Sequence, residues 1–387
     1  MKTERGAIPT PPTLAEFSTT TMGGVPSREA EMKTARGTTH TPPSAAEFSS
    51  PHTGQRSVPG MRIVLAGGTG LVGQAVHAVA SAAGHEVVLL VRRPARAAGE
   101  IAWDPGAGVL PSGVIEEADA IVSLNGSPLA KLPWTARYRE EIRQSRVATT
   151  RLLAETIASA RRAPKVWVSA SAVGIYGDRP GEILDEDSTR GAGFLADVVD
   201  AWEAATSPAA STTRVVLART AMVLGKRWST AFPGDSIASA QRASSLRSPL
   251  NRPLGRGGAL APLVRLSRLG LGGRIGSGRQ HWPWITLEDE ARAIVHLVAD
   301  SSLAGPVNLV APESATATDV TRKVASTLRR PHVFPAPAWA LRALLGDAAR
   351  GLLLADEQVF PRRLEAEGTF RFRHRNLDAA LETLLRS

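Results

Sequence analysis

A short apolar run, a cluster of glycines and a helix-compatible segment in immediate succession leave a chain few folds to choose from. Residues 62–83 have that order. Ile63, Val64 and Leu65 lack polar alternation, the pattern of a strand buried on both faces of a parallel sheet. Gly67, Gly68, Thr69 and Gly70 make the turn, and Leu71, Val72 and Gly73 open a run that winds as a helix to Ala83 with one apolar face. Strand, glycine turn and helix in this order leave backbone N–H groups and the positive helix end free to hold a pyrophosphate. Gly67 permits the tight turn, Gly70 lets the backbone approach the ligand, and Gly73 lets helix and strand pack closely.

The fold class this implies is α/β, a Rossmann doubly wound parallel sheet with a smaller C-terminal α/β substrate domain. Further buried strands are predicted at Glu86 to Val91, Asp119 to Leu124, Lys165 to Ala170 and Arg214 to Arg219, with helices over about Thr135 to Arg161 and Gly193 to Ala205. At 387 residues, 43% of them hydrophobic, the chain is long enough for two domains or one large one.

Residues 1–60 are rich in Pro, Ser, Thr and Gly and are expected to be a disordered N-terminal extension. They carry a repeat: Met1-Lys-Thr-Glu-Arg-Gly returns as Met32-Lys-Thr-Ala-Arg-Gly, and Thr10-Pro-Pro as Thr41-Pro-Pro. The arm reads either as a docking segment, or as a tail without a role or an overextended start, because Met61 stands directly before the first strand. A dinucleotide-binding domain is expected over 61–300 and a small C-terminal domain over 301–387.

Whether the cofactor is NAD or NADP turns on the end of the second strand. NAD sites usually offer an acidic residue there, roughly 20 residues past the glycines, to hold the ribose 2′-hydroxyl. This chain offers Arg92 and Arg93, whose guanidinium groups suit a 2′-phosphate, so NADP is expected rather than NAD. Asn125 and Gly126, ending the next strand, are expected to face the cofactor.

The formal net charge of +10 comes almost wholly from arginine scattered through an alanine-rich chain, without interleaved aromatics, so nucleic-acid binding is not expected. Cysteine is absent, which excludes disulfides, thiolate catalysis and Cys-ligated zinc. His281 has no second histidine placed to form a metal site, and none is expected. With no apolar run of about eighteen residues and no signal-peptide core, a soluble cytoplasmic protein without membrane contact is expected.

Several local patterns agree along the chain: Gly67-Gly-Thr-Gly-Leu-Val-Gly, Trp103-Asp-Pro, Ser145-Arg-Val-Ala-Thr-Thr, Ser169-Ala-Ser-Ala-Val-Gly-Ile-Tyr-Gly, Gly193-Phe-Leu with Trp202-Glu, Gly276-Ser-Gly-Arg-Gln and Pro361-Arg-Arg-Leu. Over about Met61 to Leu385 they resemble the atypical short-chain dehydrogenases of the SDR39U1-like epimerase family. The resemblance implies NADP on the Rossmann half and a small-molecule substrate cleft roofed by the C-terminal part. It places cofactor contacts on the glycine turn, Arg92, Leu124, Asn125, Glu141, Arg146 and the segment after Arg219, beginning at Ala221. The match is interrupted from Lys226 to about Arg256, whose Ser, Arg and Pro content suggests a disordered insertion, with a basic lid as the alternative.

Reductases and epimerases of this superfamily use a tyrosine as general acid/base, a lysine four residues on, and a serine that polarises the carbonyl. Only two tyrosines exist here, and Tyr138 and Tyr176 are followed four residues on by Ile142 and Pro180. The pair is therefore missing. Ser169 and Ser171 stand where the superfamily's serine belongs, Ser169 expected on the cofactor side and Ser171 at a substrate oxygen. Tyr176 is the candidate proton donor, with turn-packing as its alternative. Glu203, beside Trp202, is a further cleft-facing candidate. Two functions stay open: an NADP-dependent oxidoreductase or epimerase on a small carbonyl or sugar-like substrate, or a dinucleotide-binding regulator of cell division or redox sensing. A homodimer through the helices Thr135 to Arg161 and Gly193 to Ala205 is a further expectation.

Overall fold

Seven short strands associate in parallel, and the central ones are too hydrophobic to leave a face in water. In the computed structural model, which describes residues 60–111, 113–225, 258 and 260–386, they form one sheet. The strands are β1 (Arg62–Ala66), β2 (Glu86–Val91), β3 (Glu100–Ala102), β4 (Ala120–Ser123), β5 (Val166–Ala172), β7 (Arg214–Thr220) and β10 (Gly305–Leu309). Their order is β3-β2-β1-β4-β5-β7-β10, every neighbour parallel. The N-terminal arm and the 226–256 insertion lie outside the described residues.

Alternate side chains of β1 serve two cores. Ile63 and Leu65 pack with Ala75, Val76 and Ala80 of α1 (Leu71–Ala82) and with Ile294 and Leu297 of a later helix (Leu287–Ala299). Val64 and Ala66 face the opposite side, where α2 (Ala136–Ser159) supplies Leu153, Ala154 and Ile157. Both faces are covered, so the sheet is doubly wound. Fully burying each of the larger side chains contributes roughly 1.5–3 kcal/mol. The hydroxyl of Thr135 starts α2 by accepting from the Tyr138 backbone N–H at 3.2 Å.

The chain runs outward from β1 through β2 to β3, then returns to β4 on the other side of β1. That reversal opens a crevice beyond the carboxyl ends of β1 and β4, where ligands of such sheets bind. The third helix, α3 (Phe194–Ala204), sits beside β5 and α2. Past the insertion come α4 (Leu260–Arg268), β9 (Trp284–Thr286), which pairs with β8 (Met222–Leu224), α5 (Leu287–Ala299) and α6 (Ala317–Thr327). The C-terminal part adds α7 (Ala338–Leu345), a π-helical turn Arg350–Leu354, β11 (Gln358–Val359), α8 (Arg362–Glu367) and α9 (Leu377–Arg386).

Two differences from the sequence expectation concern this later half. The boundary expected at 300/301 falls one strand early, because β10 is an edge of the main sheet, paired along β7 from Gly305 to Leu309. Ser57–Ser387 forms one compact unit in which β11 pairs with β6 (Ile183–Leu184) of the Rossmann half. Large exposed hydrophobic side chains among the described residues include Phe334, Trp339 and Leu344, and none of them lies on α2 or α3, the helices expected to dimerise. No helix among the described residues is long and apolar enough to cross a membrane.

Candidate functional site

Gly67 adopts φ +82°, and a Cβ on it would stand 2.7 Å from the carbonyl carbon and oxygen of Leu124. The turn after β1 and the end of β4 can thus close on each other only through a glycine. Gly73 meets the turn from the helix side, its Cβ position lying 2.4 Å from the Gly67 oxygen and 2.6 Å from Gly68 Cα. Gly68 is buried against Leu89 and Leu65, whereas Thr69 and Gly70 are exposed. Gly70 caps α1 in an extended conformation without a side-chain cap. The N–H groups of Leu71 and Val72 therefore open outward from the first turn, as an anion requires.

The two arginines after β2 have separate tasks. Arg93 donates from both Nη atoms to the two carboxylate oxygens of Glu100, at 2.8 and 2.7 Å, and this pairing holds the Glu100 carboxyl down at about 2. It ties the end of β2 to the start of β3. Arg92 is exposed at the same strand end and has no hydrogen-bond or ion-pair partner among the described residues. Of the two guanidinium groups at this strand end, only that of Arg93 is engaged by Glu100.

Asn125 follows β4 in the crevice, and its Oδ1 is buried without a hydrogen-bond donor. An acceptor left this way at the switch point fits a ligand that donates there. Gly126 lies under the Arg146 guanidinium, where a Cβ would be 2.8 Å from Cζ. Arg146 donates to the Ile142 and Ser127 carbonyls at 3.0 and 3.2 Å and stacks over Trp202 at 5.2 Å. Burial lowers its pKa to about 10. Glu141 accepts from the Ser127 hydroxyl at 3.0 Å and is exposed, so the pair implied by resemblance shares the Ser127 loop and not a salt bridge.

The serine segment needs two corrections. Ser169 is 0% exposed and accepts from the Ser123 hydroxyl at 3.5 Å between β4 and β5, which removes it from cofactor contact. Tyr176 is likewise 0% exposed; its hydroxyl accepts from Arg219 at 3.0 Å and donates to Asn308 Oδ1 at 2.8 Å. Both of its hydrogen bonds are internal and burial pushes its pKa up, so it packs and positions instead of donating a proton to a ligand.

Ser171, in contrast, opens on a cavity of about 970 Å³. Its hydroxyl donates to Glu203 Oε1, and Glu203 is held by Arg219 through Nε and Nη2, both at 2.8 Å. The cavity wall is mainly apolar: Leu195, Val198, Val199 and Trp202 come from α3, and Met222 and Ala221 follow β7. Gly258 also lines it, and a Cβ there would stand 3.1 Å from Leu71 Cδ2 in the first turn of α1. Sequence reasoning missed Arg219 as the anchor of Glu203 and missed Glu357, which lines the far wall. The order Trp202-Glu203 had hinted at the first; only the folded chain brings the second to the cleft.

Glycine turn, parallel order and crevice define a dinucleotide-binding protein of the short-chain dehydrogenase type. The family model described as the NAD dependent epimerase/dehydratase family matches residues 63–310, and one described as a domain of unknown function (DUF1731) matches 336–384. An epimerase family protein of Mycobacterium leprae (strain TN) is 36% identical over 320 residues, covering 82% of this chain and 94% of that protein. Epimerase family protein SDR39U1 of Homo sapiens is 34% identical over 331 residues, 84% of this chain and 100% of that one. The crystal structure of human SDR39U1 (isoform2) with NADPH matches with a TM-score of 0.70 and 33% identity, over 84% of this chain and 99% of that chain. The chain belongs to this NAD(P)-binding epimerase family.

Proposed function

We propose that the protein is an NADP-dependent oxidoreductase acting on a carbonyl or alcohol group of a small, largely apolar substrate. The observation that carries this reading is the buried chain Arg219–Glu203–Ser171, which ends at the cavity wall. The glycine turn would hold the pyrophosphate, Arg92 the ribose 2′-phosphate, and Asn125 with Arg146 the inner part of the dinucleotide. When bound, the cofactor supplies or accepts the hydride.

The residues of the chain handle the proton. Glu203 draws the Ser171 hydrogen toward itself, leaving the serine oxygen as an acceptor toward the cavity. An alcohol seated there passes its proton to Ser171 Oγ as the serine proton moves to Glu203, and carbonyl reduction runs the same path backward. Arg219 holds the Glu203 carboxylate in place through Nε and Nη2, and the Tyr176 hydroxyl accepts from the same guanidinium. The apolar wall excludes water from the reacting atoms.

The test is oxidation of NADPH followed at 340 nm with apolar aldehydes and ketones. Ser171→Ala is expected to lower kcat by roughly 100-fold, the usual scale of one positioned proton-transfer group, with NADPH affinity unchanged. A second reading, a dinucleotide-binding regulator, is favoured by one observation: α3 presents Leu195, Val198, Val199 and Trp202 to the cavity, with no tyrosine or lysine. NADPH binding without turnover on any of these substrates would decide for the regulator.

A further inference from the structure

The far wall of the cavity carries a carboxyl group that the proton path above does not use. Glu357 lines the cavity beside Leu353, Ala355 and Trp282, and its side chain has no hydrogen-bond or ion-pair partner among the described residues. Its backbone is fixed on several sides. The Glu357 N–H donates to the His281 carbonyl at 3.3 Å, and β11 directly after it pairs with β6. On one side of it the Asp356 N–H donates to Asp178 Oδ1 at 2.9 Å, and Asp356 Oδ1 holds both His281 Nδ1 at 2.7 Å and the His281 N–H at 2.8 Å. The backbone that carries the carboxyl is thus held in place at a mainly apolar wall, and no group among the described residues satisfies the carboxyl.

The groups around it favour the protonated form. Asp178 and Asp356 are neighbouring carboxylates, and His281 is turned to Asp356. Arg146 and Arg265 line the same cavity, but neither is paired with Glu357. Burial first, and the two aspartates after it, push the Glu357 pKa up to about 8. A carboxyl that keeps its hydrogen at neutral pH is a donor.

We propose that Glu357 is the ligand-recognition residue of this cavity, donating its carboxyl hydrogen to the oxygen of a neutral, mostly apolar carbonyl compound. The proposal names the substrate class of the proposed oxidoreductase and rests on the cavity being its substrate site; it does not require turnover. Size and wall chemistry agree with it, since about 970 Å³ accommodates a drug-sized molecule. A polyol or a sugar would leave most of its hydroxyls facing Leu195, Val198, Met222 and Leu353 without partners, an unfavourable exchange for each group.

The probe is 6-propionyl-2-dimethylaminonaphthalene, a neutral aromatic ketone whose emission shifts to the red when its carbonyl accepts a hydrogen bond. Titrated into the full chain at pH 7.0, it is expected to bind with the red-shifted emission. Raising the pH to 9.5, above the ordinary histidine range, is expected to weaken binding by about tenfold or more as the donor is lost. Glu357→Gln keeps a donor and should bind equally at both pH values. Glu357→Leu should bind with blue-shifted emission and no pH step. Melting temperature and NADPH binding establish that each variant is folded. The proposal is overturned if the wild type shows no pH step, if Glu357→Gln retains it, or if the folded protein does not take up the probe. Binding without a pH step would sink the Glu357 assignment alone and leave the oxidoreductase reading intact. Loss of NADPH turnover with the pH step preserved would do the reverse.

Discussion

Glu203→Ala is expected to destabilise the protein by about 3–5 kcal/mol, the scale for breaking a buried pair by removing one partner. Arg219 is 8% exposed, and both bidentate bonds to Glu203 would be lost together. A guanidinium would be left without a counter-charge, and the Ser171 hydroxyl without its acceptor. For a body of this size the melting temperature should fall by on the order of 10 °C. The comparison is Arg190, whose bridges to Asp197 and Asp200 have half-exposed partners. Replacing Arg190 by alanine should shift stability by less than about 1 kcal/mol. A Glu203→Ala protein melting within 2–3 °C of its parent, a change of roughly 1 kcal/mol, would refute the buried-pair account.

Gly73→Ala should remove cofactor binding and lower stability by about 2–4 kcal/mol, because the added methyl meets backbone and not a movable side chain. The Gly67 oxygen at 2.4 Å and Gly68 Cα at 2.6 Å belong to the turn itself, so helix and turn must separate. Gly70→Ala is the contrasting case. Its Cβ would approach only the Gly67 oxygen, at 3.3 Å, and its φ of −75° suits alanine. That variant should melt within a few degrees of the wild type. Thermal melting with NADPH titration of both variants checks the contrast, and equal behaviour would contradict the packing argument.

The strands that pair at the centre of the sheet were legible because burial on both faces imposes an unbroken apolar run. Arg62–Ala66, Glu86–Val91, Ala120–Ser123 and Arg214–Thr220 each carry that signature. The glycine turn was legible for the same local reason. What sequence could not show depends on partners far along the chain. β3 has three residues and exists through its pairing with β2. Arg92 and Arg93 look alike until Glu100 takes one of them. Ser169 and Ser171 differ only by which side of β5 they face, and Tyr176 is buried by Arg219 and Asn308, the second lying 132 positions away. Glu357 reaches the cleft only because β11 pairs with β6.

Whether the crevice selects NADP through Arg92 is decided by titration with NADPH and NADH followed by fluorescence. The full chain is the sample to use. Wild type should bind NADPH over NADH by at least about tenfold, as one charge-assisted contact to phosphate would supply. Arg92→Ala should lose that preference, while Arg93→Ala, which breaks the Glu100 pair, should keep it at reduced thermal stability. Equal affinity of the wild type for the two dinucleotides, or a preference that survives Arg92→Ala, would contradict the assignment.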